Sequence, residues 1–319
     1  MKAITQDTYG AAEVLQARDI NRPDIGDDQV LIRVRAAGVN IADWAIMSGL
    51  PYIARPIYGM GKPKNAVRGT DVAGVVESVG SGVTRFKPGD EVFGSAAASY
   101  AEYAAAAEDE LAPKPANLTF EQAATVPTAG LVALQALSDV RAGHKVLING
   151  ASGGIGTFAV QIAKALGAEV TGVTSSRNVE LLRSIGADHV IDYTRQDFTK
   201  GTQRYDLVLD NVSNHSLSEL RGVLTSTGTL VPNGGRFDNR WFASGGRVIV
   251  AKVLSPFVSQ TFKTFLVSMK HEGLLALTEL IEAGKVTPVM DRSYPLSETA
   301  QAMSYVGEGH ARGKTVITV

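Results

Sequence analysis

A run of small residues between positions 150 and 156 has the composition of a phosphate-binding turn. The segment 146–156 reads VLINGASGGIG, an apolar run followed by four glycines within seven residues. Glycines here let the backbone approach a pyrophosphate, and Gly156 lets a following helix pack tightly on the strand. The pattern predicts a dinucleotide-binding loop at a helix N-terminus, although Ala151 replaces the first glycine of the usual motif. The residues predicted to bind the dinucleotide in this loop are Ala151, Ser152, Gly153, Gly154 and Ile155.

The same letters also fit two other interpretations. Residues 150–154 spell G-x-S-x-G, the nucleophile elbow of serine hydrolases, with Ser152 as the nucleophile. Asp210 followed by His271 or His310 would supply the acid and the base in the required order. Two features disfavour the hydrolase interpretation. An elbow does not need the further glycine at position 156, and the part of the chain before the motif resembles a separate β-domain. A simple glycine-rich turn is the third interpretation, although surplus glycines cost backbone entropy.

The residues after the second strand of this region indicate which nicotinamide cofactor binds. The strand predicted at 169–173 runs into Thr174-Ser175-Ser176-Arg177, with no acid at its end. An acid there would accept a hydrogen bond from the 2′-hydroxyl of NADH and would repel a 2′-phosphate. Hydroxyls and a guanidinium instead donate to a phosphate. We therefore predict NADPH as the cofactor; the alternative role of Ser175 or Ser176 is to N-cap the next helix.

Two patterns of predicted elements position these residues. The first part of the chain alternates short β-type runs with Gly and Pro, which indicates a mostly antiparallel, barrel-like domain. From about residue 120, strands alternate with helices, which indicates a buried parallel sheet. The predicted strands are Val30–Val34, Val72–Val79, Glu91–Phe93, Lys145–Asn149, Glu169–Val173, His189–Ile191, Tyr205–Asp210, Gly228–Val231 and Lys314–Val319, and the last of these is expected to return to the first domain. The predicted helices are Ile155–Leu166, Val179–Ile185, Leu217–Leu224 and Leu274–Ala283.

Composition excludes several classes of function. The 319-residue chain has no cysteine, so disulfides, thiolate metal sites and cysteine nucleophiles are excluded. A formal net charge of -1 gives no electrostatic reason to expect nucleic acid or an anionic membrane as a partner. No signal peptide and no apolar run of the roughly 20 residues that span a bilayer are found. We expect a cytoplasmic enzyme.

Five segments together resemble the medium-chain dehydrogenase/reductase superfamily, and within it the zinc-free quinone oxidoreductase branch. They are AGVNIAD at 37–43, GTDVAG at 69–74, FKPGDEVF at 86–93, the glycine loop at 150–156 and ARGK at 311–314. The resemblance implies an α/β fold in which a Rossmann nucleotide-binding domain is inserted between two parts of a GroES-like catalytic domain. The boundaries are then 1–118, 119–261 and 262–319. It also implies frequent homodimers.

The resemblance further implies chemistry without a metal. Zinc-dependent relatives have a Cys ligand where this chain has Asn40, and a His-Glu pair where it has Thr70-Asp71. The five histidines of the chain form no ligand-like pair. The implied reaction is hydride transfer from NADPH to a small, apolar quinone or α,β-unsaturated carbonyl compound. A redox-inactive NADPH sensor remains an alternative.

Three residues are candidates for the acceptor side of the site. Asn40 is expected to orient the substrate or the nicotinamide ribose. Asp43 is either catalytic or the N-cap of a helix. The family tyrosine two residues later is replaced by Ala45, so Tyr52 is the candidate proton donor. The apolar segment Pro51 to Asn65 is expected to be a mobile loop that forms a wall of the substrate pocket or packs in the interior.

The remaining cofactor contacts are also carried over from the resemblance. Thr128 corresponds to a threonine beside the nicotinamide, or caps a helix after Pro127. Lys314 is expected either to approach the cofactor or to be a solvated lysine on the last strand. The other predicted contacts are Tyr193 near the adenosine phosphate, Asn211 and Val212 at a strand end, and Asn233 in the loop Pro232 to Gly235.

Overall fold

The computed structural model describes residues 1–234, 240–242 and 259–319. These residues form two compact units, which we call the first and the second unit. The first comprises Met1–Leu131, Ser268–Gly284 and Pro288–Val319, and the second comprises Val132–Val267 and Lys285–Thr287. The predicted domain boundaries at 118 and 261 stay predictions. Gly235, in a predicted cofactor loop, lies outside the described residues.

The first unit contains the β-rich part of the chain. Its strands are β1 (Lys2–Gln6), β2 (Leu15–Asp19), β3 (Gln29–Val39), β4 (Asp71–Val79), β5 (Glu91–Ser95), β6 (Tyr103–Ala107), β7 (Leu111–Pro113), β14 (Met290–Pro295) and β15 (Lys314–Thr318). Its helices are α1 (Ile41–Ser48), α2 (Arg55–Tyr58), α3 (Phe120–Ala124), α8 (His271–Glu282) and α9 (Thr299–Gly307), and α4 (Pro127–Ala136) begins in it.

A seven-stranded sheet organises the first unit. Its order is β14-β15-β3-β4-β5-β7, with β6 also paired to β3, and all neighbours are antiparallel except β14 and β15. The last strand pairs with β3, as predicted: Thr315 lies opposite Val39. Val30, Ile32 and Val34 of β3 face one apolar core, as the period of two requires. After an irregularity in the pairing near Val34, Ala37 and Val39 contribute to a second core instead.

The second unit is a parallel sheet with intervening helices, which confirms the Rossmann-type prediction. The sheet order is β10-β9-β8-β11-β12-β13, and every described pair is parallel. The strands are β8 (Lys145–Asn149), β9 (Glu169–Thr174), β10 (His189–Asp192), β11 (Tyr205–Asp210), β12 (Leu224–Pro232) and β13 (Thr261–Phe262). The helices wholly within this unit are α5 (Gly154–Ala165), α6 (Val179–Ser184) and α7 (Leu217–Gly222).

Two local predictions are wrong. Leu224 was expected to end a helix, but it begins β12, in which alternating threonines favour a strand. The segment Pro51 to Asn65 was expected to be a mobile loop at a pocket wall or in the interior, and although four of its residues line a cavity, it is not a loop throughout. It contains the 3₁₀ turn Tyr52–Ala54 followed by α2, with a proline in the first turn of α2 where the missing N–H is harmless. Among the described residues, no helix is both long and apolar enough to cross a bilayer.

Candidate functional site

The glycine loop has the geometry of an anion-binding turn. After β8, Gly150 adopts a left-handed φ of 77°, and Gly153 precedes α5 without a side-chain cap. A Cβ at Gly156 would lie 2.3 Å from the carbonyl oxygen of Gly150, so only glycine permits this helix–strand contact. At Gly153 an added Cβ would meet only that carbonyl, at 3.5 Å. The uncapped N–H groups and the open space beside Gly153 fit a pyrophosphate.

Ser152 is held by neighbours that cannot act as a base. Its hydroxyl oxygen accepts from the Thr174 hydroxyl at 2.8 Å and from the Asn178 amide at 3.0 Å. A serine nucleophile needs a histidine or another base at this distance. His271 bonds through its ring to the carbonyl oxygen of Leu111 in the first unit instead. The described contacts of Ser152 therefore provide no base for the serine hydrolase interpretation of the glycine loop.

The structure separates the four residues predicted to recognise a 2′-phosphate. Thr174 is buried and its hydroxyl points to Ser152, whereas Ser176 and Arg177 are exposed. Ser175 precedes a short 3₁₀ turn without a side-chain cap, and Asn178 precedes α6, so neither predicted serine cap forms. Arg177 and Ser175 remain the candidates for a phosphate contact.

An acid that the sequence reasoning missed lies beside this segment. Asp192 ends β10 opposite Thr174 of β9 and accepts a 2.5 Å hydrogen bond from Ser176. Hydrogen bonding from that hydroxyl lowers the pKa of Asp192, so it is a carboxylate at neutral pH. The Arg195 guanidinium lies 3.6 Å away and balances part of its charge. Tyr193, which follows Asp192, is 58% exposed.

The ends of β11 and β12 bring two predicted residues together. The Asn211 side-chain oxygen accepts from the Asn233 amide at 2.8 Å. The Asn211 amide nitrogen is buried and has no partner among the described residues. Val212 lies close to Gly150, since its Cγ2 would be 2.7 Å from an added Cβ there. A buried unpaired donor at the carboxyl end of a parallel strand fits a cofactor oxygen.

In the first unit, four polar side chains form one buried network around Asp71. One Asp71 oxygen accepts from the backbone N–H of Thr128 at 3.1 Å and from its hydroxyl at 2.5 Å. The other accepts from the Asn40 amide at 3.0 Å and from the Lys314 ammonium at 3.5 Å. Lys314 also donates to the Asn40 side-chain oxygen and, at 3.2 Å, to the carbonyl of Val39.

This network shows that two interpretations made from the sequence, one for Lys314 and one for Thr128, are wrong. Lys314 is only 4% exposed and Asp71 is fully buried, so the interpretation of a solvated lysine is wrong. Thr128 lies within α4, and its hydroxyl binds Asp71, so it is not the helix cap. Asp71 itself was not predicted as a site residue. Only the pairing of β3 with both β4 and β15 brings its carboxylate to Asn40 and Lys314.

Asp43 occupies a second, adjoining network. Its oxygens accept from the Thr70 hydroxyl at 3.1 Å, the Asn40 backbone N–H at 2.9 Å and the Tyr100 hydroxyl at 3.1 Å. Burial, with the nearby charge of Asp71, raises the pKa of Asp43. Burial and then the charge of Asp43 raise the pKa of Tyr100 well above its usual range. Asn40 is the N-cap of α1 and Asp43 is the third helical residue, so the N-cap prediction for Asp43 is wrong.

A cavity of about 380 Å³ lies next to Asp43 and Thr70 in the first unit. Tyr58, at the end of α2, lines it. Tyr52, the predicted proton donor, does not belong to the lining, and its ring lies 4.5 Å from the guanidinium of Arg55. Asp43 is therefore the only one of the three acceptor-side candidates that lines this cavity.

The residues at the positions of zinc ligands in zinc-dependent relatives belong to the two hydrogen-bond networks. Asn40 and Asp71 bond to each other and to Lys314, and Thr70 bonds to Asp43. Among the described residues, no group of three or more potential ligand side chains is placed to hold a metal ion.

Comparisons with known proteins cover both units. Residues 26–136 match the family model described as an alcohol dehydrogenase GroES-like domain, and residues 185–317 match one described as a zinc-binding dehydrogenase. The mitochondrial NAD(P)H oxidoreductase RTN4IP1 of Mus musculus is 35% identical over 100% of this chain and 89% of its own length. The chloroplastic NADPH-dependent alkenal/one oxidoreductase of Arabidopsis thaliana is 34% identical over 99% of this chain and 79% of its own.

A solved structure agrees with the whole fold. The quinone oxidoreductase from Coxiella burnetii superposes with a TM-score of 0.88 at 32% identity and covers 100% of this chain and 99% of its own. The likeness extends over all the elements that position the two networks and the glycine loop.

Replacing Lys314 by Met should destabilise the first unit. The substitution leaves the buried Asp71 carboxylate without its cation, and breaking a buried pair in this way costs about 3–5 kcal/mol. Urea unfolding measures the loss. The exposed Lys87→Met is the control and should change the free energy of unfolding by less than about 0.5 kcal/mol. Adding Asp71→Asn to Lys314→Met should recover part of the stability. An unchanged urea midpoint for Lys314→Met would show that the pair does not stabilise the fold.

Proposed function

The chain belongs to the medium-chain dehydrogenase/reductase superfamily, in its zinc-free quinone oxidoreductase branch, and on that basis we propose that it uses NADPH to reduce a quinone or an α,β-unsaturated carbonyl compound. One observation carries the proposal. Asn40 and Asp71, at positions of metal ligands in zinc-dependent relatives, bond to each other and to Lys314, while the glycines of the dinucleotide loop leave room for a pyrophosphate.

The residues of the second unit would bind the cofactor. The N–H groups at the start of α5 would bind the pyrophosphate, and the unpaired amide of Asn211 would donate to a cofactor oxygen. Arg177, with Ser175, is the proposed contact of the 2′-phosphate, and Tyr193 the proposed contact near the adenosine. NADPH, when bound, supplies the hydride for the electrophilic carbon of the acceptor.

The residues of the first unit would act on the acceptor side through position and hydrogen bonding. Lys314 fixes the oxygen of the Asn40 amide, and Asp71 takes one of its N–H groups. The second N–H of that amide has no described acceptor. We assign it to the acceptor oxygen, where negative charge develops during reduction. Lys314 therefore acts through Asn40 as a positioning residue.

The proton that completes the reduction is proposed to come from a tyrosine or from solvent. The carboxylate of Asp43 already accepts from three donors, so we assign it a positioning role for Thr70 and Tyr100. Tyr52 is still our proposed donor on the basis of the resemblance. Tyr58 lines the cavity and is the alternative that the geometry supports. Thr128 is proposed to stand beside the nicotinamide.

The function is tested by NADPH oxidation against a panel of quinones, enones, enals and saturated aldehydes. We expect turnover with quinones or enones, little with saturated aldehydes, and unchanged rates after dialysis against a chelator, since the proposal uses no metal. NADPH binding without oxidation of any acceptor would support the redox-inactive sensor instead. A stoichiometric zinc that is needed for turnover would contradict the proposed mechanism.

Arg177→Ala should weaken NADPH binding by about 1–3 kcal/mol, the scale of a charged hydrogen bond, and should spare NADH. In the native protein NADPH should bind at least roughly tenfold tighter than NADH, a difference of about 1.4 kcal/mol. Fluorescence titration with both cofactors measures the two effects. Arg183→Ala is the matched control, because Arg183 is also an exposed arginine of the second unit and lies in α6. Equal losses for NADPH and NADH would exclude a 2′-phosphate contact at Arg177.

The assembly and the location are proposals as well. A homodimer is proposed from the family resemblance, and sedimentation velocity at micromolar concentration distinguishes it from a monomer. Cytoplasmic location stays a proposal and is tested by fractionation of the producing cell. Two of the relatives are named as mitochondrial and chloroplastic proteins.

A further inference from the structure

The lining of the first-unit cavity combines apolar side chains with charged side chains of both signs. Ile46, Ile57 and Val67 contribute apolar surface, and Lys64 and Arg68 contribute positive charge. Ile57 is 69% exposed, so its side chain is accessible to a bound molecule. A volume of about 380 Å³ is within the range of small-molecule sites.

Arg68 is a buried cation without a carboxylate partner. The residue is only 7% exposed, and no described carboxylate lies within 4.0 Å of its guanidinium. A guanidinium has five N–H donors. The one described acceptor is the carbonyl oxygen of Asn65, and the Nε atom is buried with no partner. Buried unpaired charges are rare because they lose their hydration without compensation, so this group requires an explanation.

The backbone holds Arg68 in place. Its N–H donates to the carbonyl of Ile4 at 3.4 Å, and its carbonyl accepts from Tyr100 at 2.9 Å. The preceding Val67 forms a β-bridge with Thr5, and the following Gly69 has a φ of 99° that a side chain would strain. Arg68 is therefore fixed at the wall of the cavity.

Neither acid of the lining forms an ion pair with Arg68, although the charge of Asp43 opposes the burial that lowers the pKa of Arg68. Asp43 directs its oxygens to Thr70, Tyr100 and the backbone of Asn40. Burial raises the pKa of Asp43, and burial likewise raises the pKa of Glu110. The guanidinium of Arg68 therefore keeps N–H donors that neither acid of the lining occupies.

We propose that the acceptor reduced by this protein ends in a carboxylate, which pairs with Arg68 while the carbon chain lies on the apolar wall. The planar guanidinium matches a carboxylate with two parallel hydrogen bonds. Arg68 is then the residue that selects acidic over neutral acceptors. The inference rests on the proposed function, because it names the class of acceptor for the same reaction.

A matched pair of acceptors tests the selection. The enone acid 4-oxopent-2-enoate and its methyl ester differ in charge, and the ratio of their kcat/KM values is measured for each variant. Comparing this ratio between variants cancels the different intrinsic reactivity of the two compounds. For Arg68→Met we expect the acid-to-ester ratio to fall at least tenfold, mainly through the KM of the acid. Arg68→Lys should keep part of the ratio. The exposed Arg33→Met, remote from the cavity lining, is the control and should keep all of it.

A binding measurement on the native protein tests the inference without any variant that has to fold. The saturated acid 4-oxopentanoate should bind at least tenfold tighter than its methyl ester in calorimetry, without turnover. An unchanged ratio in Arg68→Met, or equal binding of this acid and its ester, would overturn the inference and leave the proposed function intact. Binding of 4-oxopentanoate without NADPH-dependent reduction of any acceptor in the panel would instead overturn the proposed function and keep the carboxylate site.

Discussion

The contact between the Lys314 ammonium and the Asp71 carboxylate determines where four elements of the first unit must meet. Both groups are removed from water, and their attraction offsets the loss of hydration only if the remaining hydrogen bonds are also made. Thr128 and Asn40 make those bonds to Asp71, and Asn40 and Val39 make them to Lys314. As a result, the first residues of β4 and β15, the start of α4 and the N-cap of α1 must meet at one point. The sheet order places β3 between the two strands, which is the arrangement that brings them together.

An ammonium differs from a metal ion in what it can do at such a point. It carries one charge and donates along defined N–H directions, whereas zinc polarises a bound oxygen directly as a Lewis acid. The Lys314 ammonium donates to Asn40, Asp71 and Val39. Its effect on an acceptor is therefore transmitted through the orientation of the Asn40 amide. Chemistry at this site therefore depends on hydrogen-bond geometry, with the electron pair coming from the cofactor.

Local sequence patterns predicted the elements and part of the site. β8 and β11 begin and end at the predicted residues, and the predicted glycine loop lies between β8 and α5. These features depend on short-range periodicity and on glycine conformation, which a single sequence displays. Asp71, Asp192 and Arg68 were not predicted. Each depends on the pairing of segments far apart in the chain: Asp192 on the register of β10 with β9, and Asp71 on β3 lying between β4 and β15. Arg68 has no local pattern that marks it as buried.

The position of Lys314 also affects the order of events during biosynthesis. Domains tend to fold as units while the chain is being made. The six-stranded sheet of the second unit lies within the continuous stretch Val132–Val267, which is translated between parts of the first unit. In the first unit, Asp71 emerges long before its counter-ion, and β3 lacks its β15 neighbour until residues 314–318 have been translated. The charge balance and the sheet of the first unit are thus completed only after the second unit has been translated.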